Sequence, residues 1–185
     1  MNGEERADTH VALLRGVNVG GRNKLPMKAL ASMFRNIGCD SVQTYIQSGN
    51  VVFRADTELA CRVPGLIAES IASEFGYTIT LVGRSAVDLY EAVRVNPFAR
   101  DGADVKELHA VFVADDPPSE LVDALDPGHS PGDRFSVVGR EIFLHCPRGL
   151  SRTKFTNAWF DSKLQTTSTM RNWRTVLKLL ELTAA

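Results

Sequence analysis

The chain has 185 residues, 44% hydrophobic and 23% charged, with 21 Lys+Arg against 22 Asp+Glu and a formal net charge of -1. That composition is globular, and it excludes a uniformly basic nucleic-acid binder and an acidic solvating tail. The length fits one domain or two small units, and no run of about 18 apolar residues is present to cross a bilayer.

Residues 1–9 are polar and read as a disordered extension, without the basic start and apolar run of a secretory signal. His10 to Val17 (HVALLRGV) reads as a strand, ended by the loop NVGGRNKL. Pro26 suits the first turn of a helix reaching Asn36, with Gly38 as its stop. Val42 to Gln47 alternates as a strand, Ser48-Gly49-Asn50 is a tight-turn signal, and Val51 to Arg54 returns. A helix is expected from Cys61 to Phe75, with Pro64 tolerable only near its start. Gly76 ends it, and Tyr77 to Val82 alternates as a strand. This β-α-β-β-α-β order is that of a ferredoxin-like unit.

Ser85 and Asp88 form a capping-box-like start for a helix ending before Asn96-Pro97. A strand at 106–114, a short helix at 118–125 and a hairpin across Gly139-Arg140 follow. Then come a helix at 153–164, a Thr/Ser loop and a helix at 172–182. The second half thus resembles the first with its final strand missing. The fold class is α+β, with two related ferredoxin-like units at 10–83 and 84–185 sharing one globular body. Element order alone carries this, since no sequence repeat is visible.

The net charge conceals a pattern. Residues 11–54 hold six Lys or Arg against Asp40, and residues 148–178 hold seven against Asp161. The stretch between them, 55–147, has 16 acids and seven bases. If folding joins the two basic segments, they make a positive face on a neutral protein; otherwise they are two solvated surfaces.

Gly16-Val17-Asn18-Val19-Gly20-Gly21-Arg22-Asn23 nearly fits a phosphate loop, but Arg22 stands for its lysine and Asn23 for its magnesium-binding hydroxyl. The dinucleotide pattern G-x-G-x-x-G is absent. Glycines still expose backbone N–H groups, and Arg15, Arg22, Lys24, Asn18 and Asn23 add donors, a combination that suits an anion or a connection needing positive φ. Ser48 and Asn50 are hairpin-turn residues or a polar edge beside this loop. A ferredoxin-like unit is expected to put that loop and that turn at opposite ends, so that a joint site would need help from the second unit or another chain. Residues 148–175 carry Arg148, Arg152, Lys154, the hydroxyls of Thr166 to Thr169, Arg171, Asn172 and Arg174. A helix start there, with Arg171 and Arg174 on one helical face, suits a phosphate or carboxylate. Trp159 and Trp173 read as packing anchors before base-stacking platforms.

Catalytic signatures are poor. His10, His109, His129 and His145 are scattered, His145-Cys146 lacks a second ligand pair for zinc, and Asp115-Asp116 precedes two prolines and reads as a turn. No metal site is indicated. Cys39, Cys61 and Cys146 are odd in number and far apart, as in a reduced, cytoplasmic protein.

The segments VALLRGVNVGGRNKLPM (11–27), TYIQSGNVVF (44–53) and TKFTNAWFDSKLQTTSTMRNWRTVLKL (153–179) closely resemble domain-of-unknown-function family 1697, an uncharacterised bacterial group. The resemblance covers nearly the whole chain except residues 1–9. It implies two intertwined ferredoxin-like units and brings no established reaction, substrate or cofactor. Family motifs match Arg15, Gly16, Asn18, Gly20, Gly21, Lys24 and Gln47 to Asn50. They also match Lys154, Asn157 and Arg171 to Arg174.

Three functions compete. The leading one is binding of an anionic ligand (a nucleotide, phosphorylated metabolite or nucleic acid). The second is an enzyme acting on a small phosphorylated molecule, with His10 as a placeholder for the titratable group. The third is a scaffold or interaction module, open to forming a homodimer because ferredoxin-like sheets often pair, with Arg15 and Asn50 buried and mutually bonded. An RNA-recognition motif fits less well, because Ser48 to Arg54 lacks paired aromatics.

Overall fold

The computed structural model describes residues 7–184. The chain divides into two units, Met1–Leu89 with Leu179–Ala185, and Tyr90–Lys178. None of the described helices is long and apolar enough to cross a membrane.

In the first unit, β1 (Asp8–Leu14), α1 (Met27–Asn36), β2 (Asp40–Tyr45), β3 (Asn50–Ala55), α2 (Thr57–Phe75) and β4 (Leu81–Ser85) follow the expected order. In the second, the corresponding elements are β5 (Leu108–Val113), α5 (Ser119–Asp123), β6 (Arg134–Val138), β7 (Glu141–His145), α6 (Asn157–Leu164) and β8 (Ser168–Asn172). Two helices, α3 (Ala86–Val95) and α4 (Pro97–Arg100), lie between the two sets, and α7 (Trp173–Thr183) follows β8. The sheets have the same antiparallel order, β2-β3-β1-β4 and β6-β7-β5-β8. The fold is therefore α+β with two similar ferredoxin-like units. The N-terminal residues expected to be disordered lie mostly outside the described residues; Asp8 and Thr9 already pair with Ala55 and Arg54.

The second unit has the strand that the Thr/Ser-rich stretch was expected to lack. β8 pairs with β5 through Val111 opposite Met170 and Phe112 opposite Thr169. Its hydroxyls are buried and satisfied. Ser168 Oγ donates to Asp161 Oδ1 at 2.6 Å, and Thr169 Oγ1 accepts from Arg171 Nη1 at 2.8 Å. Polar composition signals a loop only when no partner awaits the side chains inside.

Other boundaries move for local reasons. Helix α2 starts at Thr57 because Asp56 caps it, accepting from the Leu59 N–H at 2.7 Å. Pro64 therefore sits inside the helix, contrary to the expectation that it lies near the start. Proline brings no N–H to the helix ladder, while burial of Val63, Ile67 and Ile71 on one face holds the helix together. Strand β4 begins four residues later than the alternation at Tyr77 indicates, and α6 begins at Asn157 behind a Thr156 cap. The capping box at α3 is present in both directions, Ser85 N to Asp88 Oδ2 and Asp88 N to Ser85 Oγ.

The first core joins Ala12, Leu14, Val51 and Phe53 of the sheet to Leu30, Phe34, Ile67 and Ile71 of the helices. The second joins Val111, Val113, Ile142 and Leu144 to Phe155, Phe160 and Leu164. Val11 and Leu13, on the opposite sheet face, are buried as well, which explains the continuous apolar run in β1.

The register shows an equivalence that the sequence hides. His10 pairs with Ser85 and Val11 with Arg84, while His109 pairs with Asn172 and Ala110 with Arg171. Both arginines are buried, and each donates through Nη1 to the carbonyl of the residue before it. Each following residue, Ser85 or Asn172, caps the next helix by accepting the N–H three residues on.

Burial lowers the pKa of both His10 and His109, desolvation being the leading cause. Each is neutral in the native state and takes up a proton more readily when unfolded, so stability is full above the unfolded value of 6.5 and is lost as pH falls below it. We expect a lower melting temperature at about pH 5.5 than at about pH 7.5. The drop shrinks in His109→Asn, followed by differential scanning fluorimetry; an unchanged drop would place the acid sensitivity elsewhere.

Candidate functional site

Antiparallel pairing of β1 with β3 sets Leu13 opposite Asn50. The β2–β3 turn therefore lies beside the loop that leaves β1, at the same end of the sheet. This corrects the expectation of opposite ends: β2 is antiparallel to β3, hence parallel to β1, and both finish on one edge. Three segments meet there. Asn18 Nδ2 donates to the carbonyls of Leu25 and Gln47, both at 2.9 Å, and its Oδ1 accepts from the Leu25 N–H. The Leu14 N–H donates to Gly49 O at 2.8 Å, and the Arg15 N–H to Thr80 O at 2.9 Å.

Inside the loop, Asn23 Nδ2 donates to Gly16 O, the Asn18 N–H donates to Asn23 O, and the Arg22 N–H closes a turn onto Val19 O. Asn18 and Asn23 hold φ of 54° and 47°, the left-handed region that Asn tolerates. The phosphate-loop geometry does not form, since the loop folds back on itself and α1 starts only at Met27. Arg22 and Lys24 are exposed, Arg15 is half-buried, and Gly16, Gly20 and Gly21 line the exposed rim. Among the described residues, no hydrogen bond ties the Gly20 and Gly21 amides. No carboxylate occurs from Thr9 to Cys39 or from Ser41 to Ala55.

Several of the other expected site residues make structural bonds, and others are exposed. Asn50 is buried and donates to Tyr45 O at 3.2 Å and to Ser48 Oγ at 2.9 Å, which locks the turn. Arg171 and Arg174 do not share a helical face. Arg171 lies in β8, where burial pushes its guanidinium down to about 10, and Arg174 is exposed in the first turn of α7. Asn172 accepts from the Thr175 N–H at 2.8 Å and caps α7. Lys154 is exposed, and its backbone N–H donates to Ser130 Oγ. The exposed cations of the second segment, Arg148, Arg152, Lys154, Lys163, Arg174 and Lys178, belong to the second unit.

The histidines are packing or network groups. His10 stacks on Phe53 with centroids 5.6 Å apart, at the end of β1 away from the Asn18 loop. His145 bridges Arg134 and Glu107 at 3.0 and 2.9 Å. Because guanidinium can only donate, Nδ1 accepts and the proton sits on Nε2 toward Glu107. His129 stacks on Trp159 at 4.7 Å, and Trp173 is buried edge-on to Phe143. Two features escape a sequence reading: the exposure of Val19 and the left-handed backbone of Ile46, at φ 49°. Gly20-Gly21 next to Val19 is a weak signal for the first, and nothing local signals the second.

The family model described as a protein of unknown function, DUF1697, matches residues 7–143. The chain belongs to this family. The match covers the first sheet and runs into β7, ending before β8, so the Asn18 loop and the β2–β3 turn lie within the matched region. A solved structure of a conserved bacterial protein from Streptococcus pneumoniae is similar in fold, with a TM-score of 0.74, 21% identity, and 96% of this chain and 99% of that chain covered. No curated protein matches the sequence.

Proposed function

We propose that this DUF1697 protein binds an anionic ligand (a nucleotide, phosphorylated metabolite or nucleic acid) at the rim formed by the Asn18 loop and the β2–β3 turn. One observation carries the proposal: Asn18 and Gly49 tie two loops together, and Arg22, Lys24 and the Gly20-Gly21 backbone are left facing solvent on a stretch with no carboxylate. Fixed N–H dipoles and unopposed cations favour anions. The bonds of Asn18, Ser48 and Asn50 make them the frame of this rim rather than its ligand contacts.

Binding is favoured over catalysis because residues 15–24, 46–49 and 77–80, the three segments meeting at the rim, contain no His, Cys or carboxylate to move a proton. The test is titration of a labelled inorganic polyphosphate against wild type and Arg22→Ala/Lys24→Ala. The double variant keeps its melting temperature and binds at least about 10-fold more weakly, with a shallower salt dependence. Equal affinity, or no salt-sensitive binding by wild type, would refute the proposal.

A further inference from the structure

Two side chains at this rim make no sense as folding devices. Val19 is 62% exposed and Ile46 is 52% exposed. Ile46 also sits at φ 49°, a left-handed conformation that β-branched residues rarely adopt. The same rim uses asparagine at its other non-glycine left-handed positions, Asn18 and Asn23. An asparagine at 46 would relieve the backbone, and the exposed isoleucine recovers little by burial. Val19 and Ile46 are chain neighbours of Asn18 and Gln47, which are bonded to each other at 2.9 Å. The two aliphatic groups thus stand on adjoining loop tips, beside Arg22 and Lys24.

From this we infer that the ligand is a single-stranded nucleic acid, with bases lying on Val19 and Ile46 and phosphates meeting Arg22, Lys24 and the Gly20-Gly21 amides. The inference rests on the anion-binding proposal and names its ligand class. A free phosphate would leave both apolar tips unused. A small molecule would need a concave site burying most of its surface, whereas these are protruding tips. A strand collects modest contacts over successive nucleotides, and only a single strand offers its base faces. Aliphatic packing in place of aromatic stacking makes the contact tolerant of base identity.

The decisive comparison uses Ile46→Asn and, as a second variant, Val19→Ser. The probes are a short fluorescent oligothymidylate and a labelled inorganic polyphosphate of similar charge. We expect Ile46→Asn to raise the melting temperature by about 2 °C. We expect each variant to weaken oligothymidylate binding about 5-fold while leaving polyphosphate binding unchanged. If Arg22→Ala/Lys24→Ala weakens both probes but neither aliphatic variant affects oligothymidylate, anion binding stands and the nucleic-acid inference falls. If neither probe binds, both fall. Capture by phosphatidylserine vesicles that depends on Ile46, without oligothymidylate binding, would also overturn it in favour of a membrane surface.

Discussion

Gly49→Ala unfolds at a much lower urea concentration than wild type, at a cost of about 3 kcal/mol. Two effects add at this position. Its φ of 70° lies in the left-handed region, which costs an L-residue roughly 1–2 kcal/mol. A Cβ there would also stand 2.5 Å from Val17 Cγ2 and 2.6 Å from Leu14 Cβ. Leu14 and Val17 are buried in the first core, so neither can swing aside. The Leu14 N–H bond to Gly49 O holds the turn in that close approach. Gly20→Ala is the control. It has φ of 57° but nothing within 4 Å of its added Cβ, so it costs only about 1 kcal/mol. Equal midpoints for the two variants would remove the steric part of this account. On the proposed anion-binding reading, the clash opens the rim and Gly49→Ala binds polyphosphate more weakly than wild type, measured below its unfolding midpoint.

Phe155→Ala lowers stability by about 4 kcal/mol and the melting temperature by about 10 °C. Phe155 is fully buried although it precedes α6 and belongs to no regular element. Its ring lies 5.1 Å from Phe135 in an edge-on arrangement and 5.3 Å from Trp159, with His129 and Phe160 near 6 Å. Removing it empties the middle of an aromatic cluster, whose rigid rings cannot collapse into the gap. A Phe155→Leu variant recovers part of the loss by refilling volume. Loss of near-ultraviolet circular dichroism from Trp159 should accompany the alanine change, and a Tm within about 3 °C of wild type would refute the estimate.

Local chemistry was readable where a residue type has one conformational use. The Ser85–Asp88 box, the 139–140 hairpin and the helix behind Pro26 are each decided within four or five residues. The missed strand β8 shows the converse. Ser168, Thr169 and Arg171 look solvated in sequence, and they become strand residues only because β5 supplies the ladder and Asp161 a buried acceptor. Arg171 is expected on an exposed helical face for the same reason and lies buried in β8 instead, since a cation's burial depends on neighbours far along the chain. At the rim, the cations and glycines of residues 15–24 were visible, but Asn18 as the clamp onto Gln47 was not, because that bond joins positions 29 residues apart.

The sequence by itself determined the α+β class, the first ferredoxin-like unit and a carboxylate-free basic loop, because periodicity, capping and composition are local quantities. Tertiary structure decided which of those polar residues face solvent. Strand pairing brings the Asn18 loop to the Gly49 turn, buries Asn50, Arg84 and Arg171, and leaves Val19 and Ile46 outside. Hydrogen-bond satisfaction and burial are set by partners that pairing brings from elsewhere in the chain, so polar side chains that look alike in one dimension divide into buried and exposed in three.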